Sequence, residues 1–285
     1  MNLHGENVHI VGVNEYGQCI KCLPHEISKH KVSHYLTCIQ SDHGILVPAR
    51  ATFGGVFPAA SGIIYEAIFK GLLEFNHTRN VEIRFPPAYF HPEVFDNQRL
   101  LIDGMSGGTK IIDFSYHINV EDWSADSLSK GNRKKIRQCS EAGVVFRKDN
   151  QGSLPEIYEL ILMNRLSKGV IPSVTKDQLG QAIRIFPSEY EFFSLYISEI
   201  LIASALTVML NSSVRYVYMW ADHSDYRSLS PIAMLCDEIV RDSKSKGIKT
   251  VDLGTASLQG ELDEGLARFK QNLGAISTQK ISYTF

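Results

Sequence analysis

Cysteine is scarce in this chain: five in 285 residues, an odd number. A chain of this length buries enough apolar surface to hold a core without covalent staples. A disulfide scaffold is therefore not needed, and reduced thiols in a cytosol are the expectation. Charge of one sign is also missing. Twenty-nine Lys and Arg stand against 31 Asp and Glu, a net charge of −2. No global field draws the chain to nucleic acid, so DNA is not an expected partner and any polyanion must meet a local patch. The opening Met1-Asn2-Leu3-His4-Gly5-Glu6 has neither the basic start nor the apolar run of a signal peptide. Phe192 to Leu210 is mostly apolar but carries Glu199 in its middle. A lone carboxylate is costly inside a bilayer. Val, Ile, Tyr and Thr dominate there, so two buried strands meeting near Ser198-Glu199 are expected, not a membrane insertion. G-x-S-x-G, H-E-x-x-H and Walker spacings are absent, and Gly104-Met105-Ser106-Gly107-Gly108 reads as a turn. Cys19-Ile20-Lys21-Cys22 lacks the second pair that a closed zinc site needs, although His25, His30 and His34 follow.

What is present is ordinary globular patterning: 44% hydrophobic and 21% charged residues. Val8–Val13, Tyr35–Ile39 and Gly44–Pro48 read as strands, the last two around the turn Ser41–Gly44. Pro24–Tyr35 is helical or looped. Arg50–Phe57 reads as a loop in which Gly54-Gly55 allow positive φ. Ile63, Ile64, Ala67, Ile68, Leu72 and Leu73 then mark a helix face, and Asn80–Phe85 a strand stopped by Pro86-Pro87. The same loop–helix–strand order recurs over Asp225–Leu253, which suggests two copies of one unit. Thr109–Phe114 reads as a strand, and Ser115–Asp126, polar and aperiodic, as a boundary. Helices follow at Gly131–Ala142, Leu154–Leu166 (stripe Ile157, Leu160, Ile161, Leu166) and Lys176–Ile185. Strands are expected at Val144–Arg147, Glu191–Ile197, Leu201–Leu210 and Val214–Ala221.

The C-terminal region organises the rest. Ile232, Leu235, Cys236, Ile239 and Val240 share a helix face, while Asp237, Glu238, Arg241, Asp242 and Lys244 take the other, and Gly247 stops the helix. Thr250–Leu253 reads as a buried strand ended by Gly254. After an irregular stretch, Gly265-Leu266-Ala267-Arg268-Phe269-Lys270 is expected as a loop that returns a cation beside a ring. That combination suits a cleft better than a core.

Tyr226–Pro231, the helix after it, Gly247–Gly254 and Gly265–Lys270 together resemble the C-terminal half of the FemAB-like branch of the GNAT acyltransferase superfamily. Gly131–Arg137 with Glu141–Val144 resembles the basic helix opening that family's second domain. The resemblance covers about half of the chain, from about Leu128 to Ala275. It implies an α/β fold of two tandem GNAT-like modules, each a mixed sheet flanked by helices, here residues 1–120 and 121–285. It implies acyl or aminoacyl transfer from an activated ester or thioester to an amine, with a small-molecule or cell-wall-precursor amine as acceptor.

Residue by residue, the peptidoglycan-bridge enzymes of the branch carry a Phe-Lys that matches Phe269-Lys270. Lys270 would then stabilise negative charge at the attacked carbonyl. Strand alternation puts Tyr216, Tyr218 and Trp220 on one face. Tyr218 is a candidate proton relay, Trp220 a groove or core residue, and His223 a candidate base. Arg227, Ser228 and Ser230 occupy the place of the pyrophosphate loop of coenzyme A enzymes, but that loop's glycines are missing and Pro231 removes an amide. Ser230 and Pro231 equally suit a plain helix cap. Arg133, Lys134 and Arg137, with Lys130 and Lys135, crowd one basic helix that suits phosphates, a tRNA acceptor stem among them, or plain solvent. Asp252 is a donor-site candidate or an organiser of loop amides. No permanently bound cofactor and no metal are expected; the donor is an aminoacyl-tRNA or an acyl-CoA. An acetyl-CoA-dependent enzyme and a catalytically silent binding module on the same fold remain open beside the FemAB-like reading.

Overall fold

The computed structural model describes residues 7–41, 44–48, 54–75, 80–105 and 107–285. The chain divides into two compact units. Unit 1 holds residues 1–114, 257–262 and 278–285, and unit 2 holds 115–256 and 263–277. A single cut at residue 120 does not describe this, because the end of the chain returns to unit 1.

Unit 1 is built from β1 (Asn7–Asn14), β2 (Cys19–Cys22), β3 (Val32–Ser41), β4 (Gly44–Val47), α1 (Gly62–Glu74), β5 (Asn80–Arg84), α2 (Pro92–Asp103) and the first half of β6 (Thr109–Asn119). Pro24–Glu26 forms only a short 3₁₀ turn. β4 and β5 pair in parallel through the α1 crossover, Ile45 opposite Val81. Phe69, Phe85, Phe90 and Phe95 fill this unit's core, with Phe85 edge to face on Phe69, Phe95 and, at 6.0 Å, Tyr283, while Phe90 stacks on Phe95 and the partly exposed Phe57 meets Phe95 edge on. Gly54 and Gly55 do not take the positive φ expected of them. Their lack of a side chain serves close approach instead: a Cβ would lie 2.7 Å from Pro48 at the first and 2.8 Å from Gln98 at the second. Residues 42–43 of the expected turn, 49–53 of the expected loop, Ser106 and the opening hexapeptide lie outside the described residues.

Unit 2 begins with the second half of β6, so Ser115–Asn119 is strand and not boundary loop. Its polar look misleads because both faces are covered: Ser115, Tyr116, His117 and Ile118 are all buried. Then come α3 (Lys130–Glu141), β7 (Val145–Asp149), α4 (Leu154–Leu166), α5 (Lys176–Ile185), β8 (Tyr190–Ile197), β9 (Ile200–Met209), β10 (Val214–Asp222), α6 (Pro231–Ser245) and β11 (Thr250–Thr255). A two-stranded turn, β12 (Ser257–Leu258) and β13 (Glu261–Leu262), belongs to unit 1. It leads to α7 (Glu264–Asn272) and β14 (Ile276–Thr284). The strand order in unit 2 is β6-β11-β10-β9-β8-β7, and in unit 1 β2-β1-β3-β4-β5-β14-β6. β10–α6–β11 is again a parallel crossover, Val214 opposite Thr250, so the β4–α1–β5 motif does recur. This is the tandem mixed α/β architecture.

Ser198 and Glu199 turn the β8–β9 hairpin with φ of 47° and 66°, and the apolar run 192–210 is indeed two strands. Among the described residues no helix is long and apolar enough to cross a membrane. Capping sets the helix ends. The Thr175 hydroxyl accepts from the Gln178 amide at the start of α5, and Gly247, at φ 70°, follows the end of α6. Two pattern readings fail locally. Leu166 is half exposed at the last position of α4, and Asp237, assigned to the polar face of α6, is buried and bound to Arg241 at 3.0 Å.

α6 is tied to the sheet by a buried ionic knot. Arg215 on β10 is fully buried over the Phe193 ring. It pairs with Glu191 on β8, with Asp242 on α6 at 2.8 Å, and donates to Ser243 Oγ at 2.7 Å. Lys148 reaches the same two carboxylates at 2.8 and 2.9 Å, and Lys246 joins both. Burial alone would raise the carboxyl pKa values of Glu191 and Asp242, but these cations override it and hold both below the ordinary range. Removing one partner of such a pair strands buried charge, at a cost of about 3–5 kcal/mol. Arg215→Ala is expected to lower unfolding free energy by that amount in urea titration, whereas Lys246→Ala, at the exposed edge of the knot, changes it by less than about 1 kcal/mol.

Candidate functional site

β10 and β11 pair at only three positions, Val214–Thr250, Arg215–Val251 and Tyr216–Asp252. Both strands run on, β10 to Asp222 and β11 to Thr255, without further register between them. β10 also slips its register with β9 between Val217 and Met219, a bulge that increases local twist. The result is a parting of two parallel strands, with main-chain groups along the open edges.

Lys270 closes one side of that parting. It is not on a loop: Gly265–Lys270 lies in α7, whose N-cap Asp263 accepts from the Leu266 amide at 2.9 Å. Lys270 is only 3% exposed. It donates to the carbonyls of Gly254 at 2.9 Å and Thr255 at 2.8 Å, and stands 5.9 Å from the Tyr116 ring centroid. Burial pushes its pKa down to about 8, against the opposing pull of Asp252 and Asp263. An ammonium has three donors, so two carbonyls leave one N–H for another acceptor.

Asp252 makes this seat. It is buried, and its Oδ1 accepts from the Gly254 amide at 2.7 Å and from Ser115 Oγ at 3.4 Å. That bond supports the left-handed turn at Gly254, φ 77°, a conformation glycine takes at no steric cost. The turn presents the two carbonyls to Lys270. Asp252 therefore acts on backbone and not as an exposed donor contact. His117, opposite Asp252 in register, is held neutral at pH 7, its pKa lowered to about 4 by burial. Tyr216 lies closest to the seat: a Cβ on Gly254 would be 3.6 Å from its ring and 4.0 Å from the Lys270 nitrogen. The sequence reading placed Tyr216 on the correct face yet did not single it out. Strand alternation was the available signal, and a partner for it could be known only from the fold.

The other expected residues disperse. Phe269 is partly exposed and meets Trp220 edge to face at 5.9 Å, which joins the open end of α7 to β10. Tyr218 packs towards the α4–α5 core cluster, near Tyr158 and Tyr190, and burial raises its pKa. That makes it a poor base at neutral pH. His223 caps the 3₁₀ turn Ser224–Leu229 by accepting from the Asp225 amide at 3.3 Å, and it lines a separate cavity beside α4. Neither Lys270 nor Tyr218 lines that cavity. Arg227 lines it too. Ser228 contributes its carbonyl, which accepts from Lys135 Nζ at 2.6 Å.

At the start of α6, Ser230 takes φ 50° and makes no side-chain cap. Its amide is bonded to Arg227 O, the Ala233 amide to Ser230 O, and Pro231 has none. The first turn thus offers the Ile232 amide where a pyrophosphate cradle would offer several. On α3, Arg133 pairs with Asp126 at 2.7 Å. Lys130, Lys134 and Arg137, spaced i, i+4 and i+7, form one exposed face without an ion pair among the described residues. All five cysteines are free thiols, and no group of three or more His, Cys, Asp or Glu among the described residues is placed to hold a metal.

A family model described as an acetyltransferase (GNAT) domain matches residues 127–271, about half of the chain. Among solved structures, FemX superposes with a TM-score of 0.62 at 11% identity, covering 98% of this chain and 88% of that one. The C-terminal domain of a putative lysylphosphatidylglycerol synthetase from Agrobacterium fabrum gives 0.62 at 11% identity, covering 96% and 83%. A tandem GNAT protein from the clavulanic acid biosynthesis pathway gives 0.52 at 10% identity, covering 100% and 84%. No curated protein matches in sequence. Identities this low speak to fold alone, but the family match spans the parted strands, the basic helix and the lysine-bearing helix together: the chain belongs to the GNAT acetyltransferase family.

Proposed function

We propose that this chain is a FemAB-like N-acyltransferase that moves an acyl or aminoacyl group from an activated ester or thioester to an amine. The observation that carries the reading is the buried Lys270 ammonium seated where β10 and β11 part. The donor carbonyl enters the parting, the neutral amine attacks it, and the developing oxyanion accepts from the remaining Lys270 N–H and from a β10 amide. Burial makes such a donor far stronger than in water. The intermediate then collapses to the amide, and the donor's alcohol or thiol leaves, taking up the amine proton through water. Holding amine and ester together supplies much of the rate.

The start of α6 supports an ester donor over coenzyme A, because Pro231 and the internally bonded amides leave little to hold a pyrophosphate. The exposed Lys130–Lys134–Arg137 face supports an aminoacyl-tRNA, whose phosphates suit a row of unpaired cations.

Two outcomes test this. With a pKa of about 8, Lys270 is mostly protonated at pH 7 and loses its charge above pH 8. kcat/KM is expected to fall above about pH 8, and the fall to move upward in Lys270→Arg, whose guanidinium stays charged. Lys270→Met is expected to lower kcat by about 10²–10³ with donor KM little changed. Turnover by Lys270→Met at the wild-type rate sinks the catalytic reading and favours a silent binding module. Separately, reversing Lys130, Lys134 and Arg137 to Glu is expected to weaken retention of charged tRNA in native mass spectrometry by about 10-fold or more and to flatten its salt dependence. Retention of an acyl-CoA in place of tRNA would favour the acetyl-CoA-dependent alternative.

A further inference from the structure

The cavity beside α4 has no part in the scheme above. It lies wholly within unit 2 and measures about 520 Å³, within the range of small-ligand sites. Its wall is apolar: Leu160, Met163, Ile200 and Leu201. Its glutamates stand at one end, and Arg227 with Asp222 at the other.

At the N-terminal end of α4 stand Glu156 and Glu159, both exposed and neither in an ion pair among the described residues. At the C-terminal end stands Arg227, which donates to Ser167 Oγ at 3.3 Å and lies 3.6 Å from Asp222 Oδ1. Lys168 adds positive charge at that end, near Arg227 and Asp222. Between the ends sits Asn164, only 5% exposed. Its amide nitrogen donates to Asp222 O at 2.9 Å and Asp222 Oδ1 at 2.6 Å. A flipped amide would set oxygen against two oxygens, so the orientation is fixed. The Asn164 amide oxygen lines the cavity and takes no hydrogen bond among the described residues. Open to the cavity, that oxygen offers an acceptor to a ligand that donates.

From this geometry we infer that the cavity binds a short apolar peptide with free ends, its ammonium at Glu156 and Glu159, a backbone N–H on Asn164 Oδ1 and its carboxylate at Arg227. Length decides between candidates. Glu159 and Ser167 are separated by about 12 Å along the helix axis at 1.5 Å per residue. An extended tetrapeptide spans about 13 Å, while a free amino acid reaches one end only. A polyanion meets repulsion at the glutamates, and a polyamine at Arg227. This inference stands apart from the acyl-transfer reading, since binding is measured without turnover.

The test is isothermal titration of the full chain with a tetrapeptide of two leucines between two alanines. Three forms are compared: free-ended, N-acetylated and C-amidated. Saturable binding of the free-ended form is expected, weakened at least five-fold by either block. In the double variant Glu156→Gln/Glu159→Gln the free and N-acetylated forms should bind alike. The Met163 methyl resonance should shift on addition of the free-ended peptide. The inference fails if no form saturates, if blocked and free peptides bind equally to the wild-type chain, or if binding leaves the Met163 methyl unmoved.

Discussion

The structure of unit 2 depends on two parallel strands that pair for three residues and then part. Parting leaves main-chain carbonyls and amides without a ladder, which a buried site tolerates only if something else satisfies them. Here the something else is Lys270. Its ammonium takes the carbonyls of Gly254 and Thr255, and those carbonyls stand in place because Asp252 holds the Gly254 amide. The arrangement is reciprocal. Burying an ammonium costs several kcal/mol unless it is hydrogen-bonded and faces opposite charge. Two carbonyls, the nearby Asp252 carboxylate and the Tyr116 ring meet that need without neutralising the cation completely. A lysine kept charged yet easily deprotonated is thus a by-product of mending a broken sheet, and the acyl transfer proposed above would set it beside the carbonyl under attack.

β10 carries both halves of this arrangement because its residues alternate between two jobs. Arg215 points into the ionic knot beneath α6, and Tyr216, its neighbour, lies at the lysine seat. The knot pins the paired start of the strand to α6 and β8. Beyond it the bulge at Val217–Met219 releases the strand from regular register. A rigid origin followed by a deliberate irregularity gives the strand edge a fixed opening, since the freedom introduced by the bulge is confined to the part that needs it.

Much of this fold was legible in the sequence. Helical period gave α4 and α5 their observed bounds, and the repeated loop–helix–strand order is the pair of parallel crossovers β4–α1–β5 and β10–α6–β11. What was not legible follows from where polarity misleads. Ser115–Asn119 looks like a linker because Ser115 and His117 are polar, but both are buried beside Asp252. Gly265–Lys270 looks like a loop because it opens on glycine and has few apolar residues, while the Asp263 cap makes it helical. α2 escaped notice because it follows a proline-rich stretch and its buried positions include Gln98 and Arg99. At the parted strands the structure brings together Lys270, to which the Phe-Lys resemblance points, and Asp252, which the strand end marks, whereas nothing in the sequence sorts Tyr218 and His223 from Tyr216. That separation is set by which side chains the bulge and the 3₁₀ turn redirect, a tertiary effect with no local signature.

The lysine seat and the glutamate end of the α4 cavity present opposite electrostatics to an amine. Tyr216 and Asp222 are about 20 Å apart along an extended strand at 3.3 Å per residue. At the Tyr216 end an ammonium is already buried, and a second one brought against it at low dielectric is repelled by several kcal/mol. Only a deprotonated amine approaches there without that cost, and only a deprotonated amine has the lone pair that attack requires. At the far end of the α4 cavity, away from Asp222 and Arg227, Glu156 and Glu159 favour the protonated form. On the proposed reading, a cationic amine is held at the cavity glutamates and only the neutral nucleophile is admitted at the lysine seat. On that reading, the lysine proposed to stabilise the oxyanion also excludes the unreactive form of the attacking group.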